Sequence, residues 1–177
     1  IRDTAWAAER SLKQITMKEV VAGVDIGGTN TVIGFVDAEG VIHAGGNLST
    51  PDYALADDFV IALDAKLKEM VAENSGLKLI GIGIGAPNAN FNKGTIELAP
   101  NLRWKGIIPL VRITEKLTGL KTRITNDANA AALGEMIFGA AKGVKDFIIL
   151  TLGTGLGSGI VVDGEVVYGH TGFAGEL

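Results

Sequence analysis

Apolar and polar residues alternate in register from Val20 onward. VVAGVDI and TVIGFVD read as half-buried strands at about 20–26 and 31–37, and a third run extends the pattern at about 40–47. Asp37-Ala38-Glu39-Gly40 has the composition of a turn between the second and third strands, so the three form an antiparallel meander. The pattern then changes period. After Thr50-Pro51-Asp52, a sequence suited to a helix start, Phe59, Val60, Leu63, Leu67, Met70 and Val71 recur at intervals of three and four, which predicts a helix over 57–72 with one buried face. Gly76 ends it, and LKLIGIGI (77–84) reads as a buried strand beginning near Lys78. A strand reached through a helical crossover runs parallel to its neighbour. The sheet is therefore mixed and the fold class α/β.

Beyond Gly85 the periodicity lapses. Residues 89–94 read as an irregular polar stretch, and TIELAPNL follows it. A helix is expected over 107–117, closed by Gly119, and a short strand over 121–125. A further helix opens straight off that strand at Asn126-Asp127. Lys142-Gly143-Val144-Lys145-Asp146 is a polar link, and an apolar run resumes at Phe147. We expect a leader or upstream extension over 1–16, a first domain over 17–141 and the start of a second over 142–177.

The turn between the first two strands carries unusual chemistry. Asp25-Ile26-Gly27-Gly28-Thr29-Asn30 joins a carboxylate, two glycines and a hydroxyl. Gly27 and Gly28 can take positive φ and carry no Cβ, so backbone N–H groups can converge on an anion, and Thr29 adds a donor. Asp25 would repel that anion unless a divalent cation lay between them, so the turn implies Mg²⁺ with phosphate. The plain alternative is a tight turn with a solvated aspartate. FIILTLGTGLGSGIVVDGEVVYG (147–169) repeats the segment at a constant offset of 126 (163 − 37), with Gly27 falling on Gly153, Asp37 on Asp163, and Thr151 in the place of Asp25. A repeat this long suggests two related domains whose glycine hairpins grip a polyphosphate from both sides.

Two other places offer chemistry. Asn88, Asn90, Asn92 and Asn101 supply neutral donors and acceptors suited to a polyhydroxyl ligand, or else serve turns through their own backbone. Asn90 and Asn92 fit the turn reading better. Trp104 fits packing better than a sugar platform. Asp127 lies at a helix N-terminus on the carboxyl edge of the sheet, where open α/β sheets bind ligands. Either it or Asn126 caps the helix, or Asp127 accepts the proton of a hydroxyl attacking phosphorus. The helix dipole favours a carboxylate there.

Composition narrows the classes. Of 177 residues, 47% are hydrophobic, which is ample for a core and argues against disorder. With 16 basic and 20 acidic residues the net charge is −4, unlike an electrostatic nucleic-acid binder. The absence of cysteine excludes disulfides and thiolate metal sites, and fits a reducing, cytoplasmic setting. No apolar run approaches the roughly 18–20 residues of a membrane span.

In order along the chain, VDIGGTN, GIGIGAPN, APNLRW, TNDANAAALGE, LGTGLGSGIVVDG and GHTGFAGEL resemble the ROK family of sugar kinases and repressors, and within it the bacterial glucokinase-like members. The resemblance implies an actin-like, hexokinase-type ATPase built of ribonuclease-H-like domains. It implies ATP and Mg²⁺ as cofactors, Asp25 beside Mg-ATP, and Gly27, Gly28 and Thr29 as the first phosphate loop. Gly153, Thr154 and Gly155 become the second. Asp127 resembles the catalytic base, and Asn126, Asn101, Glu176 and Asn88 resemble residues that hold sugar hydroxyls. The implied reaction is transfer of the γ-phosphoryl group to a hexose hydroxyl, glucose foremost, with N-acetylmannosamine, fructose and allose as alternatives. A sugar-responsive repressor is the other class in the family, and Ile1–Thr16 is short for the helix-turn-helix expected of one. The resemblance also implies homo-oligomers as candidate assemblies. The family's zinc loop, with the histidine that precedes it, and its adenosine-binding helices are expected beyond Leu177, so structural Zn²⁺ belongs there and these residues alone are expected to be nearly inactive. His43 and His170 are expected to be structural or exposed.

Overall fold

Alternation along the first apolar run becomes strand β1 (Lys18–Ile26), with Val20, Ala22, Val24 and Ile26 buried and the residues between them turned to the opposite face. A computed structural model describes residues 17–152 and 155–176; the expected leader over 1–16 lies outside the described residues. Strands β2 (Asn30–Val36) and β3 (Ile42–Ser49) complete the meander, and β4 (Leu77–Gly85) and β8 (Thr122–Thr125) add to its other side in the order β3-β2-β1-β4-β8. β1, β2 and β3 pair antiparallel, whereas β1 with β4 and β4 with β8 pair parallel. The sheet is mixed, as the crossover argument requires.

Helix α1 (Ala56–Glu73) packs on one face of this sheet through Phe59, Val60, Leu63, Leu67 and Met70, against Val20, Ala22, Ile33, Phe35 and Ile82. Pro51 and Asp52 start only a single 3₁₀ turn (Thr50–Asp52) ahead of it. Trp104 is core, as expected: its ring lies 4.9 Å from that of Phe59 and its Nε1–H donates to the Tyr53 carbonyl (3.1 Å).

Two expectations need correction. Residues 89–94 are not irregular throughout: they open with β5 (Ala89–Asn90), which forms a separate small sheet with β6 (Thr95–Glu97) and β7 (Ile107–Ile108). The helix expected from Ile107 is instead α2 (Leu110–Thr118), because Pro109 holds the preceding residues extended and then stands at the helix N-cap. Its end follows the expectation, with Gly119 in the left-handed region at φ +70.

Helix α3 (Asp127–Ile137) leaves β8 and lies between the two large elements of the fold. On one side Ala130 approaches β4 at Gly85. On the other, Ala128 and Ala132 press on a second sheet, β11-β10-β9, formed by β9 (Phe147–Leu152), β10 (Leu156–Val162) and β11 (Glu165–Val166). A Cβ at Gly159 would stand 2.8 Å from the Ala128 carbonyl oxygen and 2.9 Å from Ala132 Cβ, so glycine there sets the helix-to-sheet distance. The outer face of β9 presents exposed Ile148, Leu150 and Leu152.

The far end of the first sheet is held by charge. Asp37, 1% exposed, accepts from Lys18 Nζ (2.6 Å), His43 Nε2 (2.7 Å), Val41 N (2.9 Å) and Glu39 N (3.0 Å). Its hydrogen bonds from Lys18 and then His43 hold its carboxyl well below the usual carboxylate range. His43 is thus a structural residue with a definite partner. The corresponding Asp163 has no such role: it is exposed, with φ +53.

Candidate functional site

The carboxyl ends of the three parallel strands place Asp25, Gly85 and Thr125 side by side, each paired with the next. A Cβ at Gly85 would stand 3.9 Å from Asp25 Oδ1, 3.9 Å from Asp127 Cα and 3.4 Å from Ala130 Cβ. Gly85 is therefore a notch flanked by two carboxylate residues. Partial burial, and then the charge of Asp127, push the Asp25 carboxyl above its ordinary value. Two anions on one notch fit a divalent cation. Among the described residues no group of three His, Cys, Asp or Glu could hold a metal alone. That suits Mg²⁺, which takes one or two carboxylates and completes its octahedron with phosphate oxygens and water.

The glycine turn beside Asp25 is tighter than anticipated. Gly27 N–H donates to the Asn30 carbonyl (2.9 Å), leaving Gly28 and Thr29 as a two-residue loop. Neither glycine takes positive φ, so conformational freedom is not why they are glycine. The reason is close approach. A Cβ at Gly28 would lie 2.7 Å from the Asn101 carbonyl oxygen, and one at Gly27 would lie 2.9 Å from that of Asn30. The turn thus brings together Asn101, expected from the resemblance to hold sugar, and the residues expected to form the first phosphate loop.

At the N-terminus of α3 the alternatives for Asn126 and Asp127 separate. Asn126 is the N-cap: its Oδ1 accepts from Asn129 N (2.7 Å), and its Nδ2 donates to Glu176 Oε1 (2.8 Å). Asp127 is exposed, and its Oδ1 accepts from Ala128 N (2.9 Å). Capping falls to Asn126, and Asp127 bonds through one carboxylate oxygen only among the described residues. Asn126, Asp127 and Glu176 are together; Asn101 stands at the neighbouring turn. Asn88 is placed differently. Its backbone is left-handed at φ +52 and its carbonyl accepts from Glu97 N (3.0 Å), the turn use of asparagine.

The second hairpin follows the first at the offset of 126 in its strand limits, since β10 (Leu156–Val162) falls on β2 (Asn30–Val36). Its register does not. Ile26 pairs with Thr31 and Leu152 with Leu156, so four residues separate the last paired positions of the first hairpin and three those of the second. Gly153 and Thr154 lie outside the described residues; Gly155 is exposed. A Cβ at Gly157 would stand 3.3 Å from Ala128 Cβ, which brings this hairpin to the same helix N-terminus that carries Asp127.

Three features had no clear sequence signal. Asn90, assigned to a turn, is fully buried and bonds to Thr171. Phe91 stacks on Tyr168 with ring centres 4.1 Å apart. Gly169, Gly172 and Gly175 all take positive φ, at +69, +88 and +89, and curl the segment that delivers Glu176; their three-residue spacing was the available clue. His170 is exposed, as expected. A groove of about 790 Å³ also reaches Asp25 and Asp127, but its body is the uncovered sheet face, Gly23, Val32, Gly34, Ile42 and Gly83. Such a floor offers a sugar nothing to bond, so the polar chemistry belongs to the groove's end.

A mixed sheet flanked by helices, with a glycine hairpin and a helix N-terminus meeting at its carboxyl edge, defines an α/β domain of the actin-like ATPase class. The chain belongs to the ROK family, which it matches over residues 21–177. It is 40% identical over 156 residues to a glucokinase of Streptomyces coelicolor, covering 88% of this chain and 47% of that protein. A xylose repressor of Caldicellulosiruptor bescii is 46% identical over 100 residues, 56% of this chain and 25% of that one. Among solved structures, a ROK family glucokinase of Streptomyces griseus in complex with glucose and AMPPNP superposes with TM-score 0.77 at 39% identity, covering 89% of this chain and 49% of that chain. The chain spans about half the length of the glucokinases it matches. No helix among the described residues is long and apolar enough to cross a membrane.

Proposed function

We propose that this site serves ATP-dependent phosphorylation of a hexose hydroxyl, with glucose, giving glucose 6-phosphate, as the first candidate. The observation that carries the reading is the division of labour at α3. Asn126 caps the helix, so the Asp127 carboxylate remains exposed beside the notch and the glycine turn. In this reading the sugar hydroxyl gives its proton to the unbonded oxygen of Asp127. Its oxygen forms the new bond to the γ-phosphorus, and the bond from that phosphorus to the leaving ADP oxygen breaks. Asn126, Glu176 and Asn101, with Asn88 at the edge of the loop, hold the sugar hydroxyls. The turn at Gly27, Gly28 and Thr29 takes phosphate oxygens from one side, and Gly153, Thr154 and Gly155 take them from the other. Asp25 would hold Mg²⁺, which neutralises charge on the phosphates when bound.

The named activity of the two Streptomyces relatives supports the sugar-kinase reading. The xylose repressor relative keeps a second reading alive, a protein that binds sugar without turning it over. An ATP-consumption panel on the full-length protein separates them, run across glucose, fructose, allose, N-acetylmannosamine and other N-acetylhexosamines. Sugar-dependent ADP release, fastest with glucose, is the expected result. Sugar binding without ADP release from any member of the panel would overturn the kinase reading in favour of the repressor.

A further inference from the structure

Glu176 reaches Asn126 at the end of a segment, 168–176, with little regular structure of its own: β11 ends at Val166 and no strand or helix follows. Something must fix that segment if Glu176 is to meet a ligand in one place. Internally it is closed by Ala174 N–H to the Tyr168 carbonyl (3.1 Å) and Glu176 N–H to the Phe173 carbonyl (3.3 Å). The second sheet holds it by Ser158 Oγ donating to the Gly175 carbonyl (2.5 Å). Its hydrogen bond to the small sheet is made by the Asn90 side chain. Asn90 Nδ2 donates to the Thr171 carbonyl (2.9 Å), and Asn90 Oδ1 accepts from Lys93 N (3.2 Å). Gly172 lies so close over this amide that a Cβ would stand 2.5 Å from Asn90 Oδ1. Next to it Phe91 and Tyr168 stack with planes 6° apart.

We propose that Asn90, supported by the Phe91–Tyr168 stack, is a positioning residue for sugar binding: it pins the segment 168–176 to the β5 hairpin and thereby sets Glu176 against Asn126. The inference rests on the functional reading above. Asn90 itself is fully buried and touches no ligand; it acts through Thr171 and Gly172. An amide is required because it offers a donor to one carbonyl and an acceptor to one N–H at the same time. Asp keeps the shape and loses the donor, turning a carboxylate towards the Thr171 carbonyl.

The test is Asn90→Asp in the full-length protein. Glucose affinity is measured by calorimetry without ATP, KM for glucose and for ATP are measured separately, and amide hydrogen exchange is followed over 168–176. Loss of a buried hydrogen bond with repulsion in its place predicts glucose binding weaker by about tenfold or more. KM for ATP should stay within about twofold, and exchange should rise in the segment. Phe91→Leu, at a half-exposed position that tolerates change, should give the same split in milder form and stands in if the Asp variant does not fold. Glucose affinity within about twofold of wild type in the folded variants, or KM for ATP rising as much as KM for glucose, would overturn the proposal. If the wild-type protein binds no sugar, the functional reading falls instead, and unchanged exchange in the Asp variant would still refute the pinning role by itself.

Discussion

Asn126 does two jobs through two ends of one amide, and two substitutions separate them. Asn126→Ala removes the N-cap acceptor for Asn129 N and the donor to Glu176. Loss of a cap costs about 1 kcal/mol, and loss of a hydrogen bond to a carboxylate that is itself exposed adds about as much again. The total of about 2 kcal/mol corresponds to a fall of about 2–4 °C in Tm for a protein about twice the length of this chain. Asn126→Asp keeps an oxygen where the cap requires one and places negative charge at a helix N-terminus, which is favourable by about 0.3–1 kcal/mol. Against that stands repulsion from Glu176, weakened by solvent. Its Tm should therefore stay within about 1 °C of wild type.

Binding of sugar divides the pair differently. Both variants lose the amide N–H donor, so both should bind glucose more weakly, and the Asp variant should do so while remaining stable. Circular-dichroism melts and glucose calorimetry on the full-length protein measure the two effects independently. If Asn126→Asp melts as early as Asn126→Ala, the cap is not what stabilises α3. If either variant binds glucose as wild type does, the Nδ2 donor has no part in sugar recognition.

Asp127→Asn should lower kcat by about 10²–10⁴ with glucose affinity little changed; activity within about tenfold of wild type would remove Asp127 as the base. Gly28→Ala forces a methyl group to within 2.7 Å of a backbone carbonyl that cannot yield cheaply; calorimetric melts should show about 1–3 kcal/mol of destabilisation, and KM for ATP should rise. Asp25 has a raised folded pKa, so its ionised form opposes folding above that pKa and the penalty eases as pH falls through it. Asp25→Asn should accordingly raise the Tm of the metal-free protein at pH 7 while weakening the Mg²⁺ dependence of ATP use, and a lower Tm would contradict this. Asp37 has the opposite sign: its stabilisation is present above the unfolded value near 3.8 and is lost as pH falls below it towards the depressed folded pKa. Asp37→Asn should flatten the acid limb of a Tm-against-pH curve, and an unchanged limb would show that other carboxylates govern it.

The sequence was legible where burial follows a period. Val20, Ala22, Val24 and Ile26 announce β1, and the apolar stripe of 57–72 falls within one residue of α1 at either end. Local periodicity says nothing of strands two or three residues long, which is why β5 and β6 fall in a stretch that reads as loop. Ile107 and Ile108 imitated the start of a helix although Pro109 was visible and argued against it. Partners distant in sequence were out of reach: the residue that holds Asn90 in place is 81 positions away, and nothing near Asn90 distinguishes it from Asn92. At Gly27 and Gly28 the want of a Cβ matters and the freedom of φ does not: the obstacle to a side chain is the Asn30 carbonyl at Gly27 and, at Gly28, the carbonyl of Asn101, brought there by the fold. The constant offset between the two hairpins likewise concealed a change of one residue in register, since matched strand limits do not fix which residues pair.

Under the function proposed above, that register change bears on how the two hairpins would share one polyphosphate. The first offers a two-residue loop whose Gly27 N–H is already spent on the Asn30 carbonyl, and it has Asp25 at its base. The second has one residue fewer between its last paired positions and has Thr151 at the equivalent position, facing Gly157. Of the two hairpin bases only Asp25 offers a cation a charged oxygen. A hairpin with a neutral base is suited to holding phosphate oxygens through backbone donors without repelling them. The duplicated segments have thus diverged at the two places where identical copies would conflict: two aspartates at the bases would place a second anion beside the phosphates with no second cation to offset it. By this argument Thr151→Asp in the full-length protein should weaken ATP binding more than it weakens sugar binding, because the added carboxylate faces the nucleotide and Asn126, Asp127 and Glu176 are untouched. Equal loss of both would mean that Thr151 is only a packing contact for Gly157.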